Sequence, residues 1–219
     1  MMNPQDVSRV YQILTQQVKY YKVPVVELIE VQTKDPFKIL IATMLSARTK
    51  DETTSAVCIK LFSRVHTLHD LQRIPLQELE QLLYPVGFYK TKAKHLKKLP
   101  LVLHEQFGDT IPQTIDELLH LPGVGRKTAN LVVATAFHQP AICVDTHVHR
   151  IMNRLGYLKT KTPYETEMVL RKKLPQKYWI GLNAMLVAFG QHLCRPISPH
   201  CSVCPIKKYC KRVGVSSSR

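Results

Sequence analysis

Four cysteines near the end of a 219-residue chain, Cys194, Cys201, Cys204 and Cys210, are spaced C-x6-C-x2-C-x5-C. Thiolates this close in sequence can converge on one centre, and they suit zinc or an iron–sulfur cluster. Zinc sites more often pair two short knuckles across a longer span. One C-x2-C between unequal gaps therefore leans toward a [4Fe–4S] cluster and leaves zinc open. Four unrelated core cysteines are a poor alternative, because the loop-like Arg195-Pro196-Ile197-Ser198-Pro199-His200 separates the first two. Cys58 and Cys143 stand apart in apolar settings and read as buried thiols.

A second group surrounds Leu121-Pro122-Gly123-Val124-Gly125-Arg126-Lys127-Thr128-Ala129. One helix end runs into a turn with two glycines and another helix starts at once. Glycines at 123 and 125 permit unusual backbone angles and let an anion approach the main chain. The first amides of the next helix then face that anion with the positive end of the helix dipole. Such a helix–hairpin–helix grips DNA phosphate without reading sequence; an ordinary tight turn is the plainer alternative. Lys127 follows in the first helical turn. The dipole and the neighbouring Arg126 work against its charge, which favours a neutral amine able to attack sugar C1′ and form a Schiff base. Its other role would be simple pairing with phosphate. Eighteen residues on, Val144-Asp145-Thr146-His147 opens another helical pattern. Asp145 is an N-cap candidate, and a carboxylate there can also stabilise cationic character at a sugar carbon.

The elements that must position these groups are helical, and the fold class is all-α. Asp35 before Pro36 reads as an N-cap, and Thr114 to Glu117 and Thr162 to Glu165 read as capping boxes. Pro75, Pro85, Pro100, Pro112, Pro122, Pro175 and Pro196 fall at helix-length intervals, as if each ended one element and began the next. The best strand candidate is the short run Ala141-Ile142-Cys143-Val144. No Gly/Ser-rich linker divides the chain, and residues 213–219 are expected to fray.

The chain carries 31 Lys and Arg against 16 Asp and Glu, a formal charge of +15. That field attracts polyanions, with nucleic acid the natural partner and an acidic membrane surface the alternative. The run Lys90 to Lys98 and the cluster Lys207, Lys208, Lys211 and Arg212 concentrate it. A lysine run is usually a solvated face; here the net charge turns it toward phosphate. No stretch reaches the ~20 apolar residues of a membrane span, and the N-terminus lacks a secretory pattern. A cytoplasmic, nucleoid-associated protein is expected, with thiols that stay reduced. With no long exposed apolar stripe, a monomer is the default.

Taken together, the motifs at 121–129, 144–147 and 194–210 resemble those of the endonuclease III family of DNA glycosylases, over about residues 28–212. The resemblance implies two all-helical domains with double-stranded damaged DNA bound across the cleft between them. One would be a six-helix barrel over 28–139; the other would join 1–27 to 140–212 and carry the [4Fe–4S] cluster. It implies Lys127 as nucleophile and Asp145 as essential carboxylate. The reaction would be excision of a flipped, oxidised pyrimidine followed by β-elimination of the abasic strand. Gly123, Gly125, Arg126 and His147 would meet DNA, with Lys207 and Lys208 on its backbone.

Two positions depart from the commonest pattern. Arg48 stands where Gln often fills the gap left by the flipped nucleotide, and Phe88 stands where Leu often wedges between bases. An aromatic wedge stacks at least as well. The rival readings are a mismatch-type glycosylase without lyase action and a DNA-docking module without catalysis. The first typically lacks a lysine at 127, and docking needs neither Lys127 nor Asp145.

Overall fold

The computed structural model describes residues 4–21 and 24–219; Met1–Asn3, on which part of the N-terminal reading rests, lie outside them. Among the described residues there are twelve α-helices, three short 3-10 turns and no β-strand. No helix among them is long and apolar enough to cross a membrane. The chain divides into two compact units, Met1–Pro24 with Pro140–Arg219, and Val25–Gln139. Helix α1 (Pro4–Gln17) belongs to the first.

The continuous unit runs α2 (Val25–Thr33), α3 (Pro36–Ser46), α4 (Asp51–Phe62), α5 (Leu68–Arg73), α6 (Leu76–Leu83), α7 (Tyr89–Phe107), α8 (Ile115–Leu118) and α9 (Arg126–Ala136). Asp35 starts α3 as its spacing predicts, accepting from the Phe37 amide at 2.9 Å with Pro36 in the first turn. Helix α3 is then buried almost all round, with Ile39, Leu40, Ile41, Ala42 and Leu45 at 0% exposure. Each fully buried Leu or Ile contributes about 1.5–3 kcal/mol, so α3 is the centre of this core, packed on α2 and α9. A full capping box, not foreseen, starts α5 between Thr67 and Asp70. Thr114 caps α8 through the Glu117 amide, but the Glu117 carboxylate takes the Thr114 hydroxyl and not the cap backbone. On α4, Cys58 is 2% exposed and burial pushes its thiol up to about 12. A covered, protonated thiol is a poor nucleophile. Iodoacetamide at about pH 8 should therefore spare Cys58 in the folded protein and label it in urea; a peptide map showing it modified in the folded state would contradict this.

Two expectations fail on α7. Pro100 lies inside this helix and does not end it. Its missing amide costs a helical bond, yet Leu96, Leu99 and Leu103 beside it are 0% exposed, and that buried face carries the helix through. The lysine run is also not one face. Lys90, Lys94 and Lys98 form an exposed stripe, whereas Lys92 is buried and Lys97 is half-buried. The Lys97 ammonium donates to the carbonyls of Leu71, Gln72 and Ile74 at 3.3, 2.5 and 2.7 Å, closing the end of α5.

The discontinuous unit packs α1 with α10 (Thr146–Leu155), α11 (Pro163–Lys173) and α12 (Trp179–His192). Val7, Val10 and Leu14 on one face of α1 meet a core that includes Met152, Leu155, Leu182, Met185 and Leu186. Ala141–Val144 is buried and non-helical but has no partner strand; the Cys143 carbonyl is instead taken by Asn183 Nδ2 on α12 at 3.3 Å. Thr162 caps α11 through the Glu165 amide at 3.1 Å, while Glu165 turns back to the Lys161 amide. The terminal segment expected to fray is pinned at three backbone bonds: Val213 to Arg154, Arg219 to Pro199 and Ser202 to Arg219.

Candidate active site

The hairpin between α8 and α9 is anchored from below by buried Leu121 and Val124, whose backbones bond to each other at 3.1 Å. Its two glycines differ. Gly123 has φ +78, and a Cβ there would overlap the His95 ring on α7. Gly125 has φ −99, an angle open to any residue, and a Cβ would meet nothing within 4 Å. The special backbone angle is needed at 123 alone; at 125 the missing side chain only leaves the main chain open. Gly123→Ala should lower stability by about 1–3 kcal/mol and Gly125→Ala by less than about 1 kcal/mol in urea unfolding. Equal costs would rule out this division of roles.

The N-cap residue of α9, Gly125, makes no side-chain cap bond to the first turn, and a helix N-terminus of this kind suits an anion. Lys127 is the second residue of this helix and is exposed. Asn130, at 0% exposure, donates to the Arg126 carbonyl at 2.9 Å and steadies the turn that carries both cations.

Elsewhere in the same unit the structure brings Arg48 and Phe88 together. Arg48 follows α3 and Phe88 precedes α7, both with left-handed backbone at φ 55 and 59. The Arg48 guanidinium lies 5.5 Å from the Phe88 ring centroid, a cation–π contact. Phe88 is 61% exposed, so its ring stands open to solvent. Because α7 begins directly after Phe88 and carries Lys92 and His95, one helix supports both this pair and the Gly123 turn.

In the other unit, Asp145 is the N-cap of α10 that its position predicts. Its carboxylate accepts from the amides of His147 and Val148 at 2.8 and 2.9 Å. His147 is half-buried, with Nδ1 3.1 Å from Arg150 Nη2. Arg150 in turn donates to the Cys194 carbonyl at 2.9 Å. A Cβ at Gly190 on α12 would overlap the His147 ring and come within 2.9 Å of Arg150, so the two helices meet closely here.

Cys194, Cys201, Cys204 and Cys210 line one cavity with Arg154, His200 and Ile206. Arg154, 9% exposed, reaches it from α10 and donates to the carbonyls of Arg195 and Pro196 at 2.5 and 2.6 Å. Its Nη1 also lies 3.6 Å from Cys194 Sγ. Burial pushes the Cys204 thiol up to about 11, and the three other cysteines push it the same way. Lys207 and Lys208 stand exposed on the 3-10 turn beside them. Sequence reasoning missed Arg150, Arg154, Gly190 and Lys92. The two arginines do carry a signal, their i,i+4 spacing just after the Val144-Asp145-Thr146-His147 motif.

The pattern of HhH-GPD superfamily base excision DNA repair proteins matches residues 41–176, which takes in Arg48, Phe88, the hairpin and Asp145 and stops before the cysteines. Endonuclease III of Thermotoga maritima is 45% identical over 177 residues, 81% of this chain and 83% of that protein. That of Bacillus subtilis is 40% identical over 183 residues, 83% and 84% of the two. The structure of a trapped covalent intermediate of endonuclease III with DNA, an estranged-adenine complex, matches with a TM-score of 0.86 at 36% identity. That match spans 97% of both chains. The chain belongs to the endonuclease III family. It is a base-excision DNA glycosylase with abasic-site lyase activity, and its all-α fold is that of the family.

Proposed function

We propose that this endonuclease III-family protein removes oxidised pyrimidines from double-stranded DNA and cuts the abasic strand through a Schiff base on Lys127. The observation that carries the reading is the match over 97% of both chains to an enzyme trapped covalently on DNA. The +15 charge supports DNA as the partner. The protein acts as a monomer on nucleoid DNA in the cytoplasm, its continuous unit serving as the barrel domain and its discontinuous unit as the cluster domain.

Phosphate rests on the main chain at Gly123, Gly125 and Arg126, and His147, Lys207 and Lys208 also meet the DNA backbone. Phe88 and Arg48 enter the stack as the damaged nucleotide flips out. The Lys127 amine attacks C1′, the C1′–N bond breaks and the base leaves with the electron pair. Asp145 steadies the cationic sugar carbon and assists proton transfer. The C1′–O4′ bond of the resulting aminal then breaks, with a proton taken up by O4′, to give the ring-opened protonated Schiff base. This acidifies the C2′ proton, whose removal expels the 3′ phosphate, and water frees Lys127.

The four thiols suit a [4Fe–4S] cluster. Burial pushes the Cys204 and Cys210 thiols up, so their thiolates call for a positive centre beside them, and His200 Nε2 on the same cavity is buried with no hydrogen-bond partner. A single zinc ion would draw the sulfurs to within about 3.8 Å of one another. The four cysteines instead place one C-x2-C between two longer, unequal gaps, unlike the paired short knuckles of zinc sites, which favours the larger cluster. When bound, the cluster supplies a fixed charged core for the loop of Lys207 and Lys208, without a part in bond-making.

The test is a duplex carrying an oxidised pyrimidine, incubated with the protein and then with borohydride. A covalent protein–DNA adduct and a cut strand are expected. Base release without trapping would mean a monofunctional mismatch-type glycosylase; binding with neither would mean a docking module. The purified protein should be brown, absorbing near roughly 400 nm, where zinc would leave it colourless.

A further inference from the structure

Lys92 lies four residues after Phe88 on α7 and is 8% exposed. Its ammonium donates to the carbonyls of Leu45 at 2.8 Å and Ala47 at 2.6 Å and lies 3.4 Å from Thr49 Oγ1. These acceptors flank Arg48 on both sides. The Lys92 amide meanwhile donates to the Phe88 carbonyl at 3.0 Å, so one residue holds the Arg48 loop with its side chain and Phe88 with its backbone. A second tie runs parallel. The Gly87 amide donates to Thr49 Oγ1 at 3.1 Å, and a Cβ on Gly87 would lie 2.5 Å from the Arg48 carbonyl.

Arg48 and Phe88 both hold a left-handed backbone that side chains with a Cβ resist, and such conformations persist only where the surroundings enforce them. Burying an ammonium to do so is costly, and burial lowers the Lys92 pKa to about 8. A lysine that merely filled this space would be no better than an apolar residue of its size. We infer that Lys92 is a positioning residue that locks Arg48 and Phe88 into one paired tip and fixes how that tip enters DNA beside the damaged nucleotide. The inference rests on the proposed insertion of these two residues.

The probe is a duplex with a stable abasic analogue opposite 2-aminopurine, whose fluorescence rises when the base is unstacked. The unaltered protein should raise the signal, and the double variant Arg48→Ala/Phe88→Ala should not. If the double variant keeps the rise, the insertion reading itself fails. With that control met, Lys92→Met should lose most of the rise. It should also lower the ratio of duplex to single-strand cleavage at an abasic site by about ten-fold or more, as misplacement on the order of 1 Å can. Equal losses on duplex and single strand, or an unchanged rise, would overturn the inference. Thr49→Val removes the shared hydroxyl with little change of shape. It should move both readouts the same way by about two- to five-fold, and it decides the matter if Lys92→Met does not fold.

Discussion

Lys127→Ala should abolish borohydride trapping and slow strand cleavage by at least about a thousand-fold, because the covalent intermediate has no other amine in its place. Lys127 is exposed in the first turn of α9, so its stability cost should stay within about 0.5 kcal/mol. Loss of one cation from a protein of charge +15 should weaken duplex binding by less than about ten-fold. The three measurements together separate a nucleophile from a phosphate contact. A variant that still traps, or that loses binding in step with cleavage, would return Lys127 to the second role.

Asp145 poses a different problem, since its carboxylate already has structural work in capping α10 through His147 and Val148. Asn caps a helix about as well as Asp, so Asp145→Asn should leave the melting temperature nearly unchanged. The same substitution removes the negative charge, and the rate should fall by about 100- to 1,000-fold. Asp145→Ala should show that fall and lose a further ~1 kcal/mol of stability with the cap. If Asp145→Asn keeps near-normal turnover, the residue is a cap and nothing more.

The features most readable from sequence share a physical cause: a local rule with few competing solutions. Asp35, Thr162 and Asp145 each start a helix where a short oxygen-bearing side chain precedes a helical run, and all three do cap. The cysteine spacing survives as four side chains on one cavity for a similar reason. What sequence hid was decided by tertiary packing. Lys92 cannot be told from Lys90 or Lys94 by pattern, because its acceptors, Leu45, Ala47 and Thr49, lie at the end of α3 and in the loop after it. Pro100 ought to stop α7 and is overruled by the buried face on either side of it. At Gly123 and Gly125 the same residue type served two purposes, and only the backbone angle and the His95 contact tell them apart.

One architectural fact bears on how the protein is made. The unit holding Asp145 and the cysteines is assembled from both ends of the chain, whereas Val25–Gln139 is contiguous. Synthesis adds about 5–20 residues each second and domains tend to fold as they are completed. The contiguous unit can therefore close first. Helix α1 emerges before it but cannot bury Val7, Val10 and Leu14 until Leu182, Met185 and Leu186 exist to receive them. Thr15 Oγ1 meets Met185 Sδ at 3.7 Å across a separation of 170 residues, roughly 10–30 s of elongation at those rates. Helix α1, made before the contiguous unit, is among the last to be sheltered.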